Sequence, residues 1–392
     1  VGLTTYDSYI RYKKIPTEKN TNIQILCMLA QSMCKCDQMI SRVFSNKKIK
    51  KIVQSELAFT PMQSLFQLSL LNNVEVYSRC GGGVSKNVSI RKYDNVSQKY
   101  QYKLNISNEI FNRVYKTKKN QTLFLFKQKI ASSLNNNKFG NGGTRMPDSI
   151  VKKKLIKKNE IYDYFHLKKK PIVCFFLNHL IDVNYHYGPR VNFQDNLTWI
   201  NFVLNEIKKN KKVNWLIKPH PLEKHYGTTV DLILKIKELE KKYDHIKLYP
   251  DELSSLTLVN SIDLALTSHG SVGFEYPAFG VKSMFVNKST YSNINFCKMV
   301  DNKKKIYEEF KKIHSIKKMT KVEIEKYRIL IVLKNLFIYN ECSLIPVEST
   351  KRNIDEEKFW QNCHNLMKKF NFKDDEFYQM LKQQIKFKTR HT

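Results

Sequence analysis

Hydrophobic residues in the second half of the chain form short unbroken runs, and amphipathic stretches separate each run from the next. The run at 171–177 is apolar throughout, which is typical of a strand buried on both faces. Asp195 is a suitable N-cap for a helix at 196–209. The remaining pattern predicts further strands and helices in alternation, at 213–217, 231–243, 246–249, 253–261, 263–267, 273–279 and 283–286. Such alternation predicts an α/β domain with a parallel, doubly wound sheet.

A second β/α unit lies earlier in the chain. Strands are predicted at 49–55 and 73–78, and the helix between them, at 61–72, has Pro61 in its first turn. This order predicts two parallel strands that are joined by a right-handed crossover. A glycine triplet at 81–83 follows the second strand, where a flexible turn is the simplest interpretation.

The chain between these two units is polar. A loop rich in asparagine and glycine is expected at 135–145, and a lysine-dense connection follows at 152–170. A chain of 392 residues exceeds the size at which one hydrophobic core usually suffices, so two domains are expected. We expect an N-terminal domain at 1–165, a second domain at 166–300 and a mainly helical extension at 301–392.

The formal net charge is +33, and only 10 of the 68 basic residues are arginines. Arginine supplies the bidentate fork that reads phosphate and guanine, whereas lysine acts as a point charge. The sequence contains no zinc-finger, RNP-like or helix-turn-helix motif, so we expect no specific nucleic-acid partner. Two explanations of the charge stay open. One is compositional drift towards lysine and asparagine; the other is a basic face that docks on anionic lipid or steers an anionic donor.

Cysteine spacing and hydropathy bear on cofactors and location. Of eight cysteines only Cys27, Cys34 and Cys36 cluster, and no Cys/His pair follows them at zinc spacing. We therefore expect free or buried thiols in a reducing compartment, no metal and no cofactor.

No apolar run reaches about 18 residues, so no transmembrane helix is expected. No signal-peptide pattern is present, and Val1 is not an initiator methionine, so we expect a cytoplasmic chain that is trimmed or a fragment.

The segment Lys218-Pro219-His220-Pro221 directly follows the predicted strand at 213–217. Ligands of open α/β sheets bind at the carboxyl ends of strands, and the two prolines fix the backbone at this end. We predict that Lys218 and His220 are rigid cationic donors to a diphosphate or a phosphate leaving group, and that His220 is catalytic. The alternative is a structural turn with an exposed histidine.

A second polar segment lies between a later predicted strand and its helix. Gly270 and Gly273 let the backbone approach a ligand, and Ser268 and Ser271 offer hydroxyl groups. Unpaired N–H groups at the start of the helix favour an anion, and Glu275 in the first turn can accept hydrogen bonds from a ribose diol. These five residues are predicted to bind the donor. The alternative is a tight turn with a capping serine and a glutamate that favours the helix dipole.

Polar side chains also follow two other predicted strands. His179, Asp182, His186 and Arg190 share one loop, in which we assign Asp182 to catalysis and the other three to contacts with the acceptor in the cleft. Glu56 follows a strand of the N-terminal half, where its carboxylate can act as general acid or base. The alternatives are a polar surface loop and an ordinary solvated or helix-capping glutamate.

The order of Trp199, the 218–221 segment and the 268–275 segment resembles the bacterial capsule and surface-polysaccharide glycosyltransferases. That group includes Kdo transferases and is related in motif to bacterial polysialyltransferases and teichoic-acid polymerases. The resemblance covers about residues 171–300. It implies a GT-B-like fold, in which two Rossmann-type β/α domains face a cleft. The N-terminal domain of such a fold binds the acceptor, and the C-terminal domain binds the donor nucleotide.

The resemblance also implies roles for single residues. His220 would contact the donor phosphate. Ser268, Gly270 and Ser271 would line the phosphate and base pocket, and Glu275 would hold the ribose. Enzymes of this group commonly use a CMP-sugar, whose leaving group CMP carries a single phosphate, and a metal ion is not obligatory.

These expectations combine into one reaction. The chain is expected to transfer Kdo or a related ulosonic acid from a CMP-sugar to a glycan or lipid-linked acceptor, and to attach to the anionic surface of the inner membrane. Transfer of glycerol phosphate or sialic acid is the alternative within the same fold. A non-catalytic polysaccharide biosynthesis or export protein and an unspecific polyanion-binding protein are the alternatives from other classes.

Overall fold

The structure is a computed structural model of the chain. It describes residues 2–15, 22–46, 48–54, 57–59, 61–81, 87–96, 98, 106–135, 153–181, 192–193, 195–221, 223, 227–228, 230–334, 340–344 and 356–387. These residues form two β-sheets with helices packed around them, so the predicted α/β class is confirmed.

The strands are, in chain order, β1 (Lys51–Gln54), β2 (Glu75–Gly81), β3 (Asn87–Tyr93), β4 (Ile172–Phe176), β5 (Asn214–Lys218), β6 (Ile246–Leu248), β7 (Leu264–Thr267), β8 (Lys282–Phe285) and β9 (Asn340–Glu341).

The α-helices are Gly2–Lys13, Ile23–Asn46, Met62–Leu71, Asn108–Thr117, Lys119–Asn135, Ile161–Tyr164, Asn196–Lys209, Leu232–Lys242, Ser255–Ser261, Val272–Glu275, Lys303–Lys312, Lys321–Val332, Glu356–Lys368 and Glu376–Phe387. Short 3-10 helices lie at Tyr276–Phe279 and Ile313–Ser315. Within the described ranges, no helix combines the length and the apolar character that crossing a membrane requires.

The larger sheet contains β4 to β8, all parallel, in the order β6-β5-β4-β7-β8. The chain adds β5 and β6 on one side of β4, then returns and adds β7 and β8 on the other side. The strand order therefore reverses between β4 and β7, and the carboxyl ends of these two strands form a topological switch point. This sheet confirms the parallel, doubly wound arrangement that the sequence predicts.

Both faces of the larger sheet are buried. Phe175 of β4 packs edge-on against Trp199 in one core, with ring centroids 5.8 Å apart. The neighbouring Cys174 points into a second core that contains Tyr249. A strand between two cores needs an apolar residue at every position, which explains the continuous apolar run at 171–177.

Polar side chains start the helices of this sheet. The carboxylate of Asp195 accepts a hydrogen bond from the backbone N–H of Thr198 at 2.7 Å, as its predicted capping role requires. Asp231 caps the helix Leu232–Lys242 in the same way, through the backbone N–H of Leu234. Each of these helices begins near the carboxyl edge of the sheet. The two caps therefore set the residue at which the loop from that edge ends and the helix begins.

The smaller sheet has the order β1-β2-β3-β9 and is mixed. β1 and β2 are parallel and flank the helix Met62–Leu71, so the predicted β–α–β unit is confirmed. β3 is antiparallel to β2, and β9 is antiparallel to β3. The two residues of β9 belong to the segment after residue 300, and a strand so short carries no hydrophobic period that the sequence could reveal.

Two hydrophobic cores join parts of the chain that are distant in sequence. Tyr9, from the first helix, is buried in the core that contains Trp199. Phe111 and Phe126 pack in a third core together with Phe274. Residues from before position 135 and residues from the second β/α series therefore share cores.

The lysine-dense connection packs on the larger sheet. Ile161, in the short helix Ile161–Tyr164, is buried in the second core, and the backbone N–H of Ile156 donates to the hydroxyl of Thr257 at 3.0 Å. The loop predicted at 135–145 lies outside the described residues except for Asn135, and the glycines at 82 and 83 also lie outside them.

Candidate functional site

A network of polar side chains joins the strand ends at the switch point. The amide oxygen of Asn178, two residues after β4, accepts hydrogen bonds from the backbone N–H of Ser268 at 3.1 Å and from the hydroxyl of Thr267 at 3.3 Å. Asn287, two residues after β8, donates from Nδ2 to the Ser268 hydroxyl at 2.8 Å. These contacts hold the carboxyl ends of three adjacent strands in fixed positions.

Ser268 is the centre of this network. Its side chain is fully buried, and its hydroxyl oxygen also lies 3.1 Å from Nδ1 of His269. Its carbonyl oxygen accepts a hydrogen bond from the backbone N–H of Asn287 at 2.9 Å. Ser268 therefore positions the strand ends. In the segment 268–275, Ser271 is the exposed residue, and His269 and Gly270 are partly buried.

The two predicted glycines flank the start of a single helical turn. That turn, Val272–Glu275, continues into the 3-10 helix Tyr276–Phe279. The hydroxyl of Tyr291 donates to the carbonyl oxygen of Gly270 at 2.7 Å, and a Cβ atom on Gly273 would overlap that hydroxyl. Gly273 thus lets Tyr291 reach Gly270, which is a packing role that the sequence did not indicate.

Two of the predicted histidines meet at the ends of β4 and β5. The rings of His179 and His220 lie 5.6 Å apart at an interplanar angle of 85°. Nδ1 of His179 accepts a hydrogen bond from the backbone N–H of Ile181 at 3.3 Å, so the neutral ring carries its proton on Nε2. That atom is 3.7 Å from Oε2 of Glu223, which is too long for a hydrogen bond but brings a carboxylate close to the ring.

His220 is neutral at pH 7 in the free protein. Burial, and after it the charges of His179 and Lys218, lower its pKa to about 4. Burial disfavours the imidazolium in the unliganded site, and the role of His220 as a cationic donor to a bound phosphate stays a prediction. A neutral ring still offers an N–H donor.

Lys218 and His220 contact different partners. The ammonium of Lys218 lies 5.6 Å from the ring centroid of Tyr249, which belongs to the second core. Burial lowers the pKa of Lys218, and the charge of Lys153 also lowers it. The site therefore holds Lys218 against an aromatic face, while His220 packs against His179.

Glu275 is buried next to a lysine from the C-terminal part of the chain. Its side chain is 6% exposed, and its charge raises the pKa of Lys334 against a stronger effect of burial, which lowers that pKa to about 7. Nζ of Lys334 donates to the carbonyl oxygen of Thr290 at 2.9 Å and lies 5.2 Å from the ring centroid of Phe274. Lys334 thus ties the segment after β8 to the helical turn of Glu275.

Four residues of this region were not predicted as site residues. Asn178 and Glu223 lie within three positions of predicted residues, and Asn287 follows an apolar run, so the strand-end rule could have found all three. Lys334 ends the apolar run 329–333, and a charge at such a position was the available signal.

The other predicted residues of this site, Glu56, Asp182, His186 and Arg190, lie outside the described residues. Their assignments stay predictions. Where the structure is described, no three His, Cys, Asp or Glu side chains are grouped so that they could hold a metal ion.

Replacing Gly273 with alanine should lower the free energy of unfolding by about 1–3 kcal/mol, because the new Cβ overlaps the Tyr291 hydroxyl. Alanine normally stabilises a helix relative to glycine, so the sign is informative. Chemical denaturation measures the change. Ser271→Ala, at an exposed neighbour, is the control and should shift stability by less than about 0.5 kcal/mol. A neutral or stabilising Gly273→Ala would contradict the packing role.

Lys334 should give the protein a pH-dependent stability. Its pKa is about 7 in the folded chain and near 10.5 in the unfolded chain. The unfolded state binds more protons between these values, so the free energy of unfolding gains a contribution that rises with pH across this window. The unfolding free energy of the wild type minus that of Lys334→Met should therefore increase from pH 7 to pH 9.5. The exposed control Lys321→Met should show a constant difference, and a constant difference for Lys334→Met as well would contradict the assignment.

Comparison with protein-family models finds no match, and comparison with curated proteins finds none either. Among solved structures, the chain is similar to two KpsC proteins of Thermosulfurimonas dismutans. For the beta Kdo 2,4 transferase the TM-score is 0.45 and the identity 11%, over 81% of this chain and 86% of that chain. For the beta Kdo 2,7 transferase the TM-score is 0.43 and the identity 15%, over 84% and 89%. The wall teichoic acid polymerase TagF matches with a TM-score of 0.27 and 13% identity, over 54% and 47%. TM-scores and identities this low support no inference about the chemistry of the site. That chemistry is inferred from the residues of this chain alone.

Proposed function

We propose that this protein is a GT-B-type glycosyltransferase of surface-polysaccharide biosynthesis that uses a nucleotide-activated sugar. The donor is a CMP-sugar, with Kdo or a related ulosonic acid as the sugar. The acceptor is a glycan or a lipid-linked glycan at the cytoplasmic face of the membrane. The observation that supports this best is the His179–His220 pair beside the Asn178–Ser268–Asn287 network, at the switch point of a parallel sheet.

In the proposed reaction the acceptor hydroxyl attacks the anomeric carbon of the donor sugar. The bond between that carbon and the phosphate oxygen breaks, and CMP leaves with both electrons of the bond. The hydroxyl proton passes to a carboxylate, for which Glu56 and Asp182 are the predicted candidates. The phosphate gains negative charge as it leaves, and a hydrogen-bond donor in a water-poor site stabilises that charge.

His220 is the residue that we assign to the donor phosphate. Its ring is neutral before binding because burial disfavours the imidazolium. A phosphate within about 4–6 Å supplies the opposite charge that favours the protonated ring, so donor binding should be coupled to proton uptake. His179 packs edge-on against this ring, and the carboxylate of Glu223 lies 3.7 Å from Nε2 of His179.

The remaining predicted residues differ in how well they suit a donor. Ser271 is exposed and Gly270 partly exposed beside the switch point, so both can line a nucleotide pocket. Ser268 acts through the strand ends that it positions. Glu275 is buried and its charge acts on Lys334, so a ribose contact would require this segment to move. The choice of CMP and Kdo rests on the motif order at 218–221 and 268–275.

Titration calorimetry with CMP, CDP, UDP and GDP tests the proposal. CMP should bind with the highest affinity, and His220→Gln should weaken CMP binding about tenfold or more, the loss of one charge-assisted hydrogen bond. His314→Gln replaces an exposed histidine and serves as the matched control, which should bind like the wild type. Equal CMP affinity in both variants would contradict the role of His220. A preference for UDP or GDP would contradict the choice of donor.

The same experiment at several pH values should reveal the coupled proton. Because protonated His220 binds the phosphate more tightly, the ratio of wild-type to His220→Gln affinity should rise as the pH falls from 7.5 towards 5.5. The nucleotide's own titration is common to both proteins and cancels in the ratio. A ratio that stays constant with pH would show that His220 takes up no proton.

Turnover assays separate the alternatives. Release of CMP from CMP-Kdo in the presence of a glycan acceptor is expected. Competition by CDP-glycerol or turnover of a sialic-acid donor would identify the related transfers, and CMP binding without any turnover would identify a non-catalytic protein.

A further inference from the structure

A cavity of about 440 Å³ lies at the amino edge of the larger sheet, near the starts of β4, β5 and β6. Its walls come from the segments 166–170, 211–214 and 242–247. The His179–His220 pair lies at the opposite, carboxyl edge, and the length of a five-residue strand, roughly 17 Å, separates the two edges. The cavity is therefore distinct from the candidate donor site.

The lining of this cavity is strongly basic. Five lysines contribute to it, namely Lys168, Lys170, Lys211, Lys242 and Lys247. The only carboxylate among the described lining residues is that of Asp244.

Most of this charge is not balanced by ion pairs. Nζ of Lys247 lies 4.0 Å from a carboxylate oxygen of Glu240. For Lys168, Lys211 and Lys242, no carboxylate of the described chain lies within 4.0 Å of the ammonium. Like charges held around one concave surface repel each other, and a bound anion relieves that repulsion.

The floor of the cavity is held by hydrogen bonds to the backbone. Nδ2 of Asn214 donates to the carbonyl oxygens of Lys168 at 2.8 Å and Lys170 at 3.2 Å. Nζ of Lys170 donates to the carbonyl oxygen of Lys211 at 2.8 Å, which ties the first wall to the second. The backbone N–H of Trp215 donates to the carbonyl oxygen of His245 at 2.7 Å, which ties the second wall to the third. The concave shape is thus built in before any ligand binds.

The charges of these lysines affect the pKa of His245, which lies in the cavity wall. His245 is buried, with 9% of the residue exposed. Nε2 of its ring lies 2.9 Å from the carbonyl oxygen of Ile207. Burial lowers the pKa of His245, and the charges of Lys211 and Lys170 lower it further. Two of the lysines therefore act on the wall of the cavity itself.

The helix dipole explains only part of the cluster. Lys242 lies in the last turn of Leu232–Lys242, where a cation complements the carbonyl end of the helix. Lys168, Lys170 and Lys211 precede strands, and Lys247 lies within β6, so no helix end accounts for them. Compositional drift alone would not place these four around one cavity that is fixed by hydrogen bonds.

We propose that this cavity binds an anion that carries two or more phosphate groups, either free in solution or as the headgroup of a lipid. Its volume lies in the range of ligand sites and exceeds the space that one phosphate fills. The charges are spread over three walls, which suits several phosphates held by point charges. The cavity contains no residue of the candidate donor site, so its test is independent of the proposed glycosyl transfer.

Tripolyphosphate is the probe for the free ligand, with calorimetry at fixed ionic strength. The test variant combines Lys168→Gln, Lys211→Gln and Lys242→Gln, all at exposed positions. The control combines Lys304→Gln, Lys311→Gln and Lys318→Gln, which removes the same charge from exposed positions elsewhere. The test variant should bind about tenfold or more weakly than wild type, as expected for loss of charge-assisted contacts, while the control changes less than about twofold. Asp244→Asn should tighten binding, because it removes the carboxylate from the lining.

Vesicle sedimentation tests the lipid source with the same variants. Vesicles of phosphatidylcholine with cardiolipin, a lipid that carries two phosphates, are compared with vesicles of phosphatidylcholine alone. Binding of cardiolipin vesicles that the test variant loses and the control keeps, without tripolyphosphate binding, would assign the cavity to a lipid headgroup. Equal losses in the test variant and the control, or no binding of either probe by the wild type, would overturn the proposal.

Discussion

Strands β4 and β7 lie side by side in the larger sheet, and the chain leaves their carboxyl ends in opposite directions. The helices that follow diverge, so a crevice must open between them. Backbone N–H groups beyond the strand ends have no neighbouring strand to pair with. The amide oxygen of Asn178 accepts the N–H of Ser268, the residue directly after β7. Together with the hydrogen bond from Asn287 to Ser268, this contact fixes the strand ends at which segments of the candidate site begin.

Burial then decides the charge state of that site. Burial lowers the pKa values of His220 and Lys334, and each group becomes sensitive to a nearby negative charge. For Lys334 the fold supplies Glu275 as that charge. For His220, the charges of His179 and Lys218 oppose protonation. A phosphate bound nearby would favour the protonated ring, and this coupling is the electrostatic basis of the proposed donor contact.

The sequence predicts the larger sheet well, because a strand between two cores must be apolar throughout and three of the connecting helices begin with a capping side chain. It also locates the 218–221 and 268–275 segments, since strand ends are visible as the ends of apolar runs. It could not predict β9, whose two residues pair with β3 and carry no hydrophobic period. Nor could it predict that Gly273 accommodates Tyr291 or that Lys334 lies beside Glu275, because both depend on contacts between elements distant in sequence.

The two edges of the larger sheet have opposite electrostatic designs. At the carboxyl edge, burial lowers the pKa values of Lys218 and His220. At the amino edge, lysines remain exposed around a preformed cavity. A parallel sheet separates the two edges by the length of its strands, so one domain can accommodate both kinds of site.

The central claim is that His220 contacts the phosphate of a nucleotide. Nitrogen-15 NMR of the imidazole rings at pH 6, with His220 assigned through the His220→Gln spectrum, measures this most directly. Addition of CMP should move the His220 nitrogens to the shifts of a protonated ring, and cytidine, which lacks the phosphate, should leave them unchanged. A His220 ring that stays neutral at saturating CMP, or that responds equally to cytidine, would contradict the claim.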